Sequence, residues 1–585
     1  MRAHDLSPRG VAVAAIALTL VAAAATLDAA ALPPAGPDVA TITSPAVAAE
    51  HLAQIRQAEA LLDVGEYGAA EPVLAELVAR YPADGGLWDA LGYARYNAGD
   101  HAGAVAAYRR AEAIGAPFRA FTIYNLACSQ ALAGDTPAAV ASLRRALAAG
   151  FEDRPFIGED EDLAGLHGDP AWPELAGLLP DAVAAAGRDA GWRYDLAFWL
   201  TEVRRLHPDP FGQVGEDSFL TRVAELDDRI PAFTDEQIMM ELQKLTVLLG
   251  DGHSGIRPLP DSRLSLSILP VQLYAFADGL FVIDAGPGHE ALIGSEVLRL
   301  GRRDVAELWP DLAELVARDN PMGLLDLGPL MLTVTATLRE LGAIGATEEV
   351  ALRLRSPAGE ERTVTLAAGP MQRSNRELVA PRGDPPVAPP LFLAREDEVF
   401  WFGELPGVEQ GLYVQFNVVR DAPDLPVAEQ ARRLRDHLQT HPEIAVIALD
   451  LRHNGGGNSF LYPPLVRVLV EHGLEHPDGR LYVLTGRRTF SACQNLATDL
   501  AWWTDAIFAG EPTGSRPNQI GESTWSRLPF SGLRAGISSR YHQQSYAGDD
   551  RPWIAPDLPV AFTAAAYFAG RDPVLEAVVA AESSR

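Results

Sequence analysis

The sequence predicts a multidomain α plus α/β protein, with an N-terminal helical solenoid followed by a β/α core that carries a β-rich insert. Three observations predict it. Turn signals recur at a fixed spacing early in the chain, and buried-strand runs alternate with a helical pattern near its end. Between them a proline-rich joint, PRGDPPVAPP at 381–390, marks a boundary. With 585 residues, 48% of them hydrophobic, the chain can fill about three or four packed cores. Its formal charge of −30 repels nucleic acid and anionic membranes, so neither is expected as the main partner.

At the N-terminus, Arg2 and Arg9 precede an apolar stretch from Val11 to Thr26, followed by Ala29, Ala30 and Ala31. This is the plan of a secretory signal peptide over residues 1–31, and it predicts an exported protein of the periplasm, cell envelope or exterior. The stretch falls short of the ~20 residues of a full span. A stable membrane span is therefore expected only if the signal stays uncleaved as an anchor. Cys128 and Cys493 fall in separate predicted domains and read as two small buried residues rather than a disulfide.

Residues 50–185 predict the helical domain. Gly65-Glu66, Gly99-Asp100 and Gly134-Asp135 recur 34 and 35 residues apart. Ala70, Ala104 and Ala139 lie five residues after each glycine, and Leu74, Tyr108 and Leu143 four further on. Ala58, Gly92 and Ala127 take the matching small position on the first helix of each pair. Small residues let paired helices approach, and the larger ones fill the next groove. The pattern resembles tetratricopeptide repeats. That resemblance implies a concave surface for a protein or peptide partner. Segment 153–185 reads as a capping extension whose acidic run is a solvated face.

Residues 190–260 predict amphipathic helices ending at LLGDGHSGIRP. Residues 268–370 predict short strands, and GSEVLRLG at 294–301 resembles a late strand of a PDZ domain. After the joint at 371–395, residues 396–585 change character. GLYVQFN, EIAVIALDLRHNGGG and LYVLTG are buried-strand runs, and TFSACQNLATDL opens a helix directly after the third. Ser491 stands where a strand hands over to a helix. By itself a serine there is an ordinary N-cap. Beside a glycine cluster, and at a helix start that offers free N–H groups and a positive dipole end, it becomes a candidate nucleophile.

Three motifs, GDGHSG, DLRHNGGG and TFSACQN…FAGEPTG, together resemble the tail-specific, or carboxyl-terminal-processing, serine proteases. The resemblance covers roughly 190–585. It implies a crotonase-like or caseinolytic-protease-like β/α core with a PDZ-like insert, Ser491 as nucleophile, and the amides of Ala492 and Gly456 as oxyanion hole. A peptide or protein is the implied substrate. One branch of the family uses a lysine on the loop that here reads GEPTGSR. Arg516 takes that place, and a guanidinium cannot give up its proton at neutral pH. The sole lysine, Lys244, precedes Ser491 in an amphipathic helix and reads as solvated. The tricorn-like branch uses a histidine before the insert, which is His253 here. The orienting acid matches Asp550, with Asp549 and Glu522 as alternatives. His453 and His542 compete as bases, whereas Asp450 and Arg452 read as anchors of the glycine loop. No cluster has metal-site spacing, and no cofactor is expected. The alternative function is a catalytically inactive binding protein for peptides or lipophilic ligands on the same scaffold, or a repeat-mediated scaffold protein.

Overall fold

The computed structural model describes residues 45–370, 379–381 and 388–584. The expected signal peptide at 1–31 and much of the proline-rich joint lie outside these residues. The chain forms two compact units, up to Gly187 and from Arg188 onward. It is a mixed α/β multidomain protein with an N-terminal helical region.

In the first unit three helix pairs follow one another: Pro45–Asp63 with Tyr67–Arg80, Gly85–Asn97 with His101–Ile114, and Arg119–Leu132 with Thr136–Ala148. The periodic residues explain the pairing. Ala70, Leu74, Ala104, Tyr108, Ala139 and Leu143 are all fully buried. Gly92 has to be glycine, because a Cβ there would lie 2.7 Å from the Tyr108 ring. The second helix of the later pairs is capped by the aspartate after its turn glycine, with Asp100 accepting from Gly103 N and Asp135 from Ala138 N. Beyond them, Phe151 stacks on Tyr124, and Leu163, Leu166 and Trp172 close the end of the core. In the acidic run, Asp160 accepts the Tyr124 hydroxyl and caps the turn at Asp162.

The second unit is built on a six-stranded sheet. Its order is Phe400–Glu404, Gly411–Phe416, Val446–Asp450, Arg480–Thr485, Ile507–Gly510 and Leu558–Pro559, parallel after the first pair. Val446–Asp450 is buried at every residue, as a central parallel strand covered by helices should be. Val427–Thr440, Pro463–Glu475 and Ala492–Trp503 supply part of that cover. The strands Val446–Asp450 and Arg480–Thr485 run side by side and end at the glycine loop and the Ser491 turn, so both loops leave the same edge of the sheet.

A second antiparallel sheet, Val271–Phe276, Gly279–Ala285, Glu296–Leu300, Glu349–Arg355 and Glu361–Ala367, forms the β-rich part. Its core is continuous with that of the helices Arg188–Leu206, Glu216–Arg229 and Asp235–Val247. Lys244, expected in solvent, lies between Glu241 and Glu340 and donates to both, because Thr335–Glu340 packs against its helix. Finally, the hairpin Asn518–Arg527 with Arg534–Gln543 pairs with Gly255–Arg257, matching Gly255 to Gly536. That ladder fixes the His253 loop next to the C-terminal hairpin, pairing residues 281 apart in sequence. Among the described residues no helix is long and apolar enough to cross a membrane.

Candidate active site

Ser491 occupies the N-cap position of helix Ala492–Trp503, yet its hydroxyl makes no capping hydrogen bond. Its backbone is at φ 55° and ψ −125°, and among the described non-glycine residues only Gln410 and Glu522 share a positive φ. A side chain held there costs ~1–3 kcal/mol, which the surroundings must offset. They do so with hydrogen bonds on both sides. Phe490 N donates to Asn454 O, Gly514 N donates to Thr489 O, and Gln519 Nε2 donates to Ser491 O at 3.0 Å. The Thr489 hydroxyl donates to Leu451 O, tying the turn to the end of the neighbouring strand.

The glycine loop meets this turn at Gly456, whose φ is 104°. A Cβ at Gly456 would lie 2.7 Å from Ser491 Cβ and 2.9 Å from Ala492 N. Only glycine allows this approach. The Ala492 amide is the first of its helix and has no intrahelical acceptor. The Gly456 amide is engaged: it donates to Asn454 Oδ1 at 3.0 Å, while the Asn454 side chain donates to Phe416 O. The expected pair of oxyanion donors is therefore adjacent to Ser491, but one of them is turned to a neighbour. Asp450 and Arg452 brace the base of the loop together with Asp572 through short ion pairs, and the two aspartates are buried.

His253 stacks on the ring of Phe490, with centroids 4.4 Å apart. Its backbone is fixed by Asp251 Oδ1, which accepts His253 N, and by the Ser523 hydroxyl, which donates to His253 O. Both ring nitrogens are shielded from solvent, and neither has a hydrogen-bond partner among the described residues. The imidazole thus stands beside the residue preceding Ser491 without bonding Ser491. An apolar cavity of about 280 Å³ adjoins His253, lined by Met239, Met240, Leu315, Leu330, Met331 and Trp525 among others.

The expected acids are not bonded to His253. Asp549 is gripped by Arg551 at 2.7 and 2.8 Å, and this guanidinium holds its carboxyl down at about 2. Asp550 is exposed. Glu522 faces His542 at 3.7 Å instead. The physical reason is local: an arginine two residues on captures Asp549, and the hairpin register sets His542 opposite Gln519, beside Glu522. Burial lowers the His542 pKa, and the nearby Glu522 carboxylate raises it again in part. His453 stacks on Phe392, away from the turn. Cys493 is fully buried, and burial pushes its thiol well up, as a packing residue requires. Arg516, where the other branch has lysine, donates to Asp319 O.

Sequence reasoning passed over Asp319, Ser515, Gln519 and Asn454, all buried around the turn. Asp319 is followed by Asn320-Pro321, a helix-start signal, so nothing in the local pattern marked it for a site.

No protein-family model matches the chain, and no curated protein does. Among solved structures, mature CPAF is similar at 13% identity, covering 67% of this chain and 96% of its own, with a TM-score of 0.49. The photosystem II D1 C-terminal processing protease is similar at 14% identity over 65% of this chain and 98% of its own, with a TM-score of 0.33. Tricorn protease follows at 12% identity, over 67% of this chain and 37% of its own, with a TM-score of 0.29. These neighbours agree with the resemblance carried by the three motifs. At such identities and scores they carry no argument about chemistry, which rests on the residues above.

Proposed function

We propose that the chain is a serine endopeptidase of the tail-specific type, with Ser491 as nucleophile and His253 as general base. One observation carries this reading: a serine at positive φ, not capping its helix, packed against Gly456 and the first amide of that helix. Strain of this kind persists where a side chain has to be presented.

In the proposed reaction the imidazole leaves its stack on Phe490 and takes the Ser491 proton as Oγ attacks the scissile carbonyl carbon. Catalytic hydrogen bonds of this kind often tighten only when substrate is bound. The oxyanion is received by the Ala492 amide and by the Gly456 amide as it turns from Asn454 Oδ1. The imidazolium gives its proton to the leaving amine, the C–N bond breaks, and an acyl-enzyme remains. A water deprotonated by the same imidazole then attacks the ester, and Ser491 recovers its proton. Asp549, Asp550 and Glu522 drop from first place as orienting acid, because Arg551 holds Asp549, Asp550 is exposed and Glu522 faces His542.

The three helix pairs are proposed to be tetratricopeptide repeats that dock a protein or peptide partner. The β-rich part is proposed to be PDZ-like, and the protein to be exported. One observation favours a second reading, a binding protein for lipophilic ligands: the apolar cavity beside an imidazole whose nitrogens bond none of the described residues. Hydrolysis of a quenched-fluorescent peptide library separates the two. Cleavage lost in Ser491→Ala supports the peptidase, and a folded protein that cleaves nothing supports the binder.

A further inference from the structure

Asp319 lies in the segment just before helix Pro321–Met331, far in sequence from both His253 and Ser491, yet it bonds the His253 loop directly and reaches the Ser491 turn through Ser515 and Gln519. Its Oδ1 accepts Gly252 N at 2.7 Å, one residue from His253. Its Oδ2 accepts the Ser515 hydroxyl, and its carbonyl accepts Arg516 Nε at 2.9 Å. Ser515 also lies 2.5 Å from Gln519 Oε1, and Gln519 Nε2 donates to Ser491 O and Asn495 Oδ1, each at 3.0 Å. The next residue, Asn320, donates to Thr513 O and Pro552 O. Polar contacts therefore link the histidine loop, Asp319, Ser515, Gln519 and the backbone of Ser491, with the single Ser515 hydrogen able to serve either Asp319 or Gln519 but not both.

We propose that Asp319 is the positioning carboxylate of this site, holding the His253 loop and the Ser491 turn in one frame and setting a buried negative charge beside the imidazole. The proposal rests on the Ser491–His253 reading and deepens it by naming a buried acid other than Asp550, Asp549 and Glu522. Burial pushes the Asp319 carboxyl up, and His253 and the Ser515 hydroxyl pull it partly back. The Ser515 hydroxyl has one hydrogen and two acceptors in reach. An imidazolium at His253 favours the ionised carboxylate, which takes that hydrogen. When His253 accepts the Ser491 proton, the new positive charge forms beside a carboxylate that the fold has already oriented.

Other charged groups face the imidazole too. Asp251 holds the loop backbone and is itself paired with His207. His542, beside Glu522, opposes a positive charge on His253, and Arg516 contacts the Asp319 carbonyl. Among these groups only Asp319 places a carboxylate in direct bond with both the histidine loop and the GEPTGSR loop.

The test compares wild type with Asp319→Asn, which keeps the shape and removes the charge, using kcat and KM for peptide hydrolysis between pH 5 and 9. The expected result is a kcat lower by about 10–100-fold, a KM within about 2-fold, and an acid limb of kcat moved down by about one pH unit. Unchanged kcat, or a loss with the limb unmoved, would overturn the proposal. Should Asp319→Asn not fold, Ser515→Ala keeps the charge and removes one donor to it. The carboxylate then gains its proton at higher pH and the acid limb should move up, whereas an unmoved limb again overturns the role. A folded wild type that neither cleaves peptides nor labels at Ser491 would instead sink the peptidase reading, and the proposal with it.

Discussion

The turn at Ser491 and the loop at His253 are held in different ways. Around Ser491 the backbone is bonded to Asn454, Gly514 and Gln519, and its strained φ is fixed by neighbours on each side. The His253 backbone is equally fixed, but its ring is held by a stack on Phe490 and by packing over Gly521, with both nitrogens unbonded among the described residues. A nucleophile can be set once by a rigid turn. On the proposed reading the base has to reach the serine and then the leaving group, and the His253 ring has no side-chain hydrogen bond among the described residues to break first.

Ser491→Ala and His253→Ala should each lower kcat by about 10⁴-fold with the fold intact by circular dichroism. If His253→Ala keeps full activity while His542→Ala loses it, the base has been misassigned. Next, the glycine loop offers a matched pair. Gly456→Ala puts a methyl 2.7 Å from Ser491 Cβ at φ 104°, so activity should fall about 100-fold. Gly455→Ala meets nothing within 4 Å and should stay within about 3-fold of wild type. Equal losses at both positions would break the claim that Gly456 alone abuts the turn.

Much of this difference also decided what was legible in the sequence. The Ser491 turn is a local device: strand, turn and helix lie within about 25 residues, and the glycine loop sits at the end of the adjacent strand. Pattern reading finds such arrangements. The helix pairs were legible for the same reason, because a 34-residue period marks neighbours that touch. The acid was not. Asp319 reaches the histidine loop across 67 residues and Ser515 across 196, and no short-range pattern encodes a contact of that span. Nor did the sequence show that Arg551 would capture Asp549, or that Asn454 would take the Gly456 amide.

Two smaller effects concern stability. Arg551 holds Asp549 at about 2, below the ordinary carboxyl value, so the pair stabilises the fold above about pH 4 and loses that contribution as pH falls through about 2. Arg551→Ala should flatten the loss of stability across that window in acid titrations, and should leave activity within about 3-fold if Asp549 does not orient His253. In the helical unit, burial raises Asp89 to about 6 although Thr122 donates to it. The folded form then binds the proton more tightly than the unfolded chain, and stability falls as pH rises from about 4 through about 6. Asp89→Asn should therefore gain about 3 kcal/mol at pH 8 relative to its effect at pH 4 in thermal melts. A gain of the same size at both pH values would contradict the buried-charge account.

The claim that everything else depends on is that Ser491 is a presented nucleophile. Reaction of the folded protein with a fluorophosphonate, followed by peptide mass spectrometry, addresses it directly. The account predicts one adduct, on the peptide containing Ser491, that disappears in Ser491→Ala and forms far more slowly in His253→Ala. An adduct on another serine, or no adduct in a folded protein that still cleaves peptides, would contradict it.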